Sequence, residues 1–199
     1  MVAPHPRFPA FFNLLRAEAA NLFTAFEGDV FRSTQPVWLS KPYRLTGVGA
    51  VLTGGRWNVQ NLMTAVCFSA NAATTAAEAD AKANRYGWTA AEMRPQTRIA
   101  LHVQLQATLD LTRPAILMAI GLSAADLTGC DWRSDQDDGR ESLTQAVGRA
   151  VFENLGEGLV APSARHDGGV NLIYFPSNRR EGSLVAAHHE SEIPHVRAL

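Results

Sequence analysis

Cysteine is scarce in this chain of 199 residues, which carries only Cys67 and Cys130. Two isolated thiols supply neither a disulfide framework nor a cysteine-built metal site, so a reducing, cytoplasmic setting is expected. Charge of one sign is lacking too: 18 basic residues stand against 19 acidic ones, for a formal net charge of -1. That balance excludes the wide basic footprint of a nucleic-acid or anionic-membrane binder, and any anion site has to be local. No apolar run is long enough to span a bilayer. The opening stretch MVAPHPRFPAFFNLLRAEAANLF meets Arg16 and Glu18 too soon for a secretory leader. Neither GxGxxG nor GxxxxGKS/T occurs, which removes the common glycine loops that cradle phosphate. Internal repeats and low-complexity tracts are missing as well.

What remains is the composition of an ordinary globular domain, 46% hydrophobic and 19% charged. Phe8, Phe11, Phe12, Leu15, Ala19, Leu22, Phe23 and Phe26 recur at spacings of three and four, which predicts an amphipathic helix over 8–26 with Gly28 as its stop. Residues 29–32 read as a short strand, followed by a long irregular segment through Pro36, Pro42 and Gly47 to Gly55. TAVCFS at 64–69 reads as a strand, and an alanine-rich helix follows from Asn71 to about Tyr86. In RIALHVQLQATLD, Ile99, Leu101, Val103 and Leu105 alternate with polar residues, which is the pattern of a half-buried strand.

Short helices are expected over 114–120 and 123–127, then a charged loop, CDWRSDQDDGRES, then a helix over 142–155. Residues 159–162 and 170–175 read as paired strands joined by SARHDGG, and His188, His189 and His195 lie in an exposed tail. Short strands mixed with single helices predict an α+β fold: one domain with a mixed or antiparallel β core flanked by helices. The expected division is an N-terminal helical extension over 1–28 and the domain proper over 29–199. Adjacent tail histidines do not make a zinc set, and no metal is expected.

The segment LTGGRWNVQ poses the sharpest question. Two glycines before Arg56 and Trp57 form an ordinary turn signal, since glycine reaches positive φ at no steric cost. They also suit a binding loop, in which the Arg56 fork faces phosphate oxygens and the Trp57 indole borders a ring.

Arg32 in DVFRST, GGRWN with Arg56, Glu78 in the alanine-rich helix, Ser163 in APSA and Asn171 in VNLIYF follow one another in an order that resembles the RES domain. That family is the toxin half of a bacterial toxin–antitoxin system. The resemblance covers roughly residues 29–175 and implies a fold similar to ADP-ribosyltransferases. It further implies an enzyme that consumes NAD by splitting the nicotinamide–ribose bond, passing ADP-ribose to phosphate or water. NAD enters as substrate. Arg32, Glu78 and Ser163 are then the catalytic set, with Arg32 and Arg56 on the phosphates, Glu78 on the ribosyl cation and Ser163 on the nicotinamide side. Gly55, Trp57, Asn58, Phe68 and Asn171 are implied around the dinucleotide. The implied partner is an Xre-type antitoxin with a helix-turn-helix part, assembled with this chain as a homo- or hetero-oligomer. No direct nucleic-acid or membrane contact is implied.

The family commonly has a tyrosine in the strand after GRW, where VCFSA offers Cys67 or Phe68. Two other readings therefore stand beside the leading one: an ADP-ribosyltransferase that modifies a specific cellular protein, and a catalytically silent module that binds nucleotide or antitoxin.

Overall fold

The computed structural model describes residues 2–34, 45–85, 87–89, 92 and 96–193. Pro36, Pro42, Tyr86 and His195 lie outside them. The described residues form an α+β domain built around a six-stranded mixed sheet.

The organising element is the alternating segment predicted from sequence, which runs as one long strand from Gln96–Asp110. Strand β1 (Phe23–Thr34) lies antiparallel along one side of it, from Phe23 opposite Leu109 to Thr34 opposite Thr97. We number the long strand β3, because β2 (Val66–Ser69) precedes it in the chain. The other side of β3 is shared. Its first part pairs with β6 (Leu184–Ile193), and its last residues, Thr108 to Asp110, pair in parallel with β4 (Gly158–Pro162). Strand β5 (Val170–Tyr174) lies antiparallel to β4, β2 lies antiparallel to β5, and Phe31 of β1 pairs with Ser69 of β2. The circuit β1-β2-β5-β4-β3 therefore closes on itself, with β6 added outside it.

Closure creates an inside and an outside. Ile99, Leu101, Val103 and Leu105, all at most 2% exposed, point inward and meet Val30, Val66, Phe68, Val160, Leu172 and Tyr174. Strand alternation sends Leu159, Ala161 and Ile173 to the opposite face. There they pack against α1 (Phe8–Ala17), α5 (Pro114–Ala119), α6 (Ala124–Gly129) and α8 (Leu143–Glu153).

Several expectations are corrected. The single helix over 8–26 is instead α1 followed by one turn, α2 (Ala19–Leu22), and Phe23 already belongs to β1. Its apolar spacing is used as far as Leu22, but β3 offers a partner along its whole length, and cross-strand pairing overrides the helical period beyond that point. Gly28 sits mid-strand opposite Val103 and caps nothing. Helix α1 packs on the domain: Phe11 and Leu15 are 3% and 1% exposed in the same outer cluster as α8.

The irregular segment before GGRWN contains a short helix, α3 (Val48–Thr53), after Gly47 in the left-handed region. The run read as a charged loop contains α7 (Trp132–Asp137), started by Asp131, whose carboxylate accepts from the Ser134 amide, and anchored by buried Trp132. The stretch read as an exposed tail supplies β6, whose long partner β3 was visible although the pairing was not.

Helix α4 (Ala72–Arg85) follows β2, and α8 packs on the outer face of the sheet. Helix α8 begins with a capping box between Ser142 and Gln145. One turn later Gly148 lies directly against the Trp57 backbone, where an added β-carbon would overlap the Trp57 carbonyl oxygen. Gly148→Ala is therefore expected to destabilise the fold by about 3 kcal/mol through overpacking against backbone, read as a lowered denaturant midpoint.

Candidate functional site

Glu78 projects from α4 toward the ends of three neighbouring strands. Its Oε1 accepts from the Ser163 hydroxyl at 2.7 Å and from the Asn171 amide at 2.7 Å. Ser69 donates to the other end of the Asn171 amide at 2.9 Å, which fixes that amide's orientation. The arrangement follows from register. Ser69 lies opposite Asn171, and Asn171 lies opposite Ala161, two residues before Ser163. The start of α4 is held as well: the Asn71 side chain accepts from the Thr74 amide, and the Thr74 hydroxyl meets His166 at 2.8 Å in the loop after Ser163. Both hydrogen bonds to the Glu78 carboxylate fall on Oε1.

Arg32 reaches the same region from the end of β1 and donates to the Cys67 carbonyl at 2.9 Å. Burial draws its guanidinium below the usual arginine range, and the neighbouring Cys67 sulfur opposes that shift. Its Nε is buried without a partner among the described residues. The Cys67 thiol is open to water yet crowded by protein atoms, as on a concave wall. Desolvation pushes its pKa up to about 12, the Glu78 carboxylate adds to the rise, and Arg32 counters it. Arg32, Cys67 and Glu78 thus share one electrostatic neighbourhood.

The GGRWN question resolves at backbone level. Gly55 and Asn58 bond each other across a tight turn, at 3.0 Å and 3.4 Å, and Gly54 has φ 66°. Gln145 of α8 donates to the Gly55 carbonyl at 3.1 Å, and the Asn58 side chain donates to the Ala50 carbonyl at 2.8 Å. Arg56 stands at the tip of this turn, where its Nη1 donates to the carbonyls of Leu127 and Cys130 at 2.8 and 3.0 Å.

Two residues expected at the ligand pack in the core instead of lining an open surface. Trp57, 6% exposed, belongs to the outer core, and Phe68, 1% exposed, stacks on Tyr174 in the inner core with ring centres 6.5 Å apart. Asn58, 4% exposed, and Gly55 build the turn that carries Arg56. Because Phe68 turns inward, alternation sends Cys67 to the opposite face of β2.

Ser69, Gln145 and Arg165 belong to this neighbourhood and were missed. The amide of Arg165 donates to the Ser163 oxygen at 3.1 Å. Ser69 could have been found by the two-residue step from Cys67; nothing local marks Gln145. Among the described residues no three His, Cys, Asp or Glu side chains cluster as a metal site, and no helix is long and apolar enough to cross a membrane.

The Glu78 carboxylate is thus held by neutral donors at strand ends, with Arg32 in its electrostatic neighbourhood, while Arg56 stands at a cavity wall with Cys130 and Arg165. The RES domain family model matches residues 29–197, and the chain belongs to that family. Among curated relatives, the NAD(+) phosphorylase MbcT of Mycobacterium bovis and that of Mycobacterium tuberculosis are each 34% identical over 145 residues, covering 70% of this chain and 71% of the relative. Among solved structures, the MbcT-MbcA toxin-antitoxin complex of M. tuberculosis matches with a TM-score of 0.73 and 26% identity, over 91% of this chain and 92% of that one.

The Cys67 environment has a measurable consequence. A thiol with a pKa near 12 is almost wholly protonated at pH 8, so Cys67 is expected to alkylate more slowly than a free cysteine and to accelerate as pH rises toward 12. Peptide mapping after timed iodoacetamide labelling separates it from Cys130. Labelling as fast as a model thiol at pH 8 contradicts this environment.

Proposed function

We propose that the chain is the NAD-cleaving toxin of a toxin–antitoxin pair, a phosphorylase that moves ADP-ribose from nicotinamide to inorganic phosphate. Its relatives carry that activity in their name, and the similar solved structure is a toxin in complex with its antitoxin. The observation that carries the reading is the Glu78 carboxylate, held at 2.7 Å by both Ser163 and Asn171 beside Arg32 and Cys67.

Splitting the nicotinamide–ribose bond sends the bonding electron pair to nicotinamide, which leaves neutral and needs no proton. Positive charge builds on the ribose. A fixed carboxylate stabilises that cation electrostatically, and pre-ordered partners save reorganisation at the moment of reaction. An oxygen of hydrogen phosphate dianion then forms the new bond to the same ribose carbon. The charges balance without proton transfer; with water as acceptor, a proton would be released. Ser163 donates its hydroxyl hydrogen to Glu78 and accepts from the Arg165 amide, so it positions the carboxylate and is not poised as a nucleophile. Arg32 and Arg56 supply positive charge for the dinucleotide phosphates. The partner is a cognate antitoxin, to which the family resemblance gives a helix-turn-helix part.

VCFSA, with Cys67 or Phe68 where the family commonly has tyrosine, favours the silent-module reading, because neither side chain carries a phenol hydroxyl. One assay decides. Purified protein with NAD and phosphate is expected to release nicotinamide together with phosphorylated ADP-ribose, and Glu78→Ala to slow release by about 100-fold or more. Arg56→Ala is expected to weaken NAD binding by about tenfold. NAD binding without turnover supports the silent module; activity unchanged in Glu78→Ala removes the carboxylate assignment.

A further inference from the structure

Beside the Glu78 cluster lies a cavity of about 300 Å³ whose wall includes Arg56, Asp131, Trp132, Arg133 and Arg165. Its wall carries three arginines against one aspartate. The Asp131 carboxylate is occupied at the start of α7, where it accepts from the Ser134 amide at 3.3 Å. The Arg133 guanidinium lies over the Trp132 ring at 5.0 Å, and its Nε is buried with no partner among the described residues. Neither Arg133 nor Arg165 takes part in an ion pair among the described residues. Arg56 is fixed at the same wall by the carbonyls of Leu127 and Cys130. Three guanidinium groups gathered on a concave surface repel one another and raise the local positive potential. Such a surface gains most from a multiply charged oxyanion, whose oxygens match the guanidinium fork.

We infer that this cavity is a phosphate-binding seat, and that Arg133 and Arg165 are positioning residues for a phosphate group of the reaction. The inference rests on the proposed NAD chemistry for its place in a reaction, though not for its chemistry as an anion site. Connectivity supports it. The Arg165 amide bonds the Ser163 oxygen, whose hydroxyl bonds Glu78, so the cavity wall and the carboxylate are joined through one serine. The phosphate comes either from the dinucleotide or from the free acceptor.

The test uses the full chain and the variants Arg133→Gln and Arg165→Gln, with Arg165→Lys as the conservative control. Initial rates are measured with NAD and inorganic phosphate varied independently, and melting temperatures check folding. A rise of about tenfold or more in one KM, with kcat largely kept and partial recovery in Arg165→Lys, supports the seat. If the KM for inorganic phosphate rises, the cavity seats the acceptor; if the KM for NAD rises, it seats the dinucleotide. Both KM values staying within about twofold of wild type overturns the inference, as does a fall in kcat alone with a lowered melting temperature. Should wild-type protein release no nicotinamide, the NAD reading fails by itself. Calorimetric titration with inorganic phosphate and, separately, with ADP-ribose then judges the cavity: binding that weakens in the variants supports it, and no binding to wild type or equal binding to all overturns it.

Discussion

The site depends on one constraint: the registry of β2, β5 and β4, which brings Ser69, Asn171 and Ser163 to the place where the Glu78 carboxylate arrives from α4. Side chains alternate across a strand, so a slip of one residue in β5 would send Asn171 into the inner core and Leu172 against the carboxylate. The registry is enforced by apolar chemistry on both faces, with Leu172 and Tyr174 inward and Ile173 outward. Three polar side chains are thus positioned by core residues packed on both faces of the sheet.

The same closure explains why the cations come from separate parts of the chain. Strand β3 is long enough to hold β1 on one side and both β6 and β4 on the other, which brings the end of β1 back beside β2. Arg32 then meets the Cys67 carbonyl, while α8 seats the GGRWN turn through Gln145 and Gly148 and aims Arg56 at the end of α6. Both guanidinium groups are tethered by main-chain carbonyls. A carbonyl fixes the fork in space without contributing a counter-charge of its own.

Legibility in the sequence followed the range of the interaction concerned. Strand β3 was readable because alternation is local, and α6 and α8 were readable because Ser123 and Ser142 announce their starts. Strand β6 and the first residues of β1 were not, since both exist through pairing with β3, a partner distant along the chain. The helix within CDWRSDQDDGRES was hidden because its apolar anchor is a single tryptophan, too little for a periodic signal. For the site, residue order pointed to Glu78, Ser163 and Asn171, whereas Ser69 and Arg165 became visible only through their hydrogen bonds.

The GGRWN segment shows why a turn and a binding element are not alternatives. Gly54 and Gly55 satisfy backbone geometry, Asn58 and Trp57 lock the turn to α3 and α8, and these purely structural roles leave Arg56 at the tip with little freedom. Cys67 makes the complementary point on β2: its inward neighbour Phe68 holds the strand, and the thiol faces the cleft neutral at ordinary pH. A neutral thiol beside Arg32 and Glu78 neither quenches the cation nor repels the carboxylate.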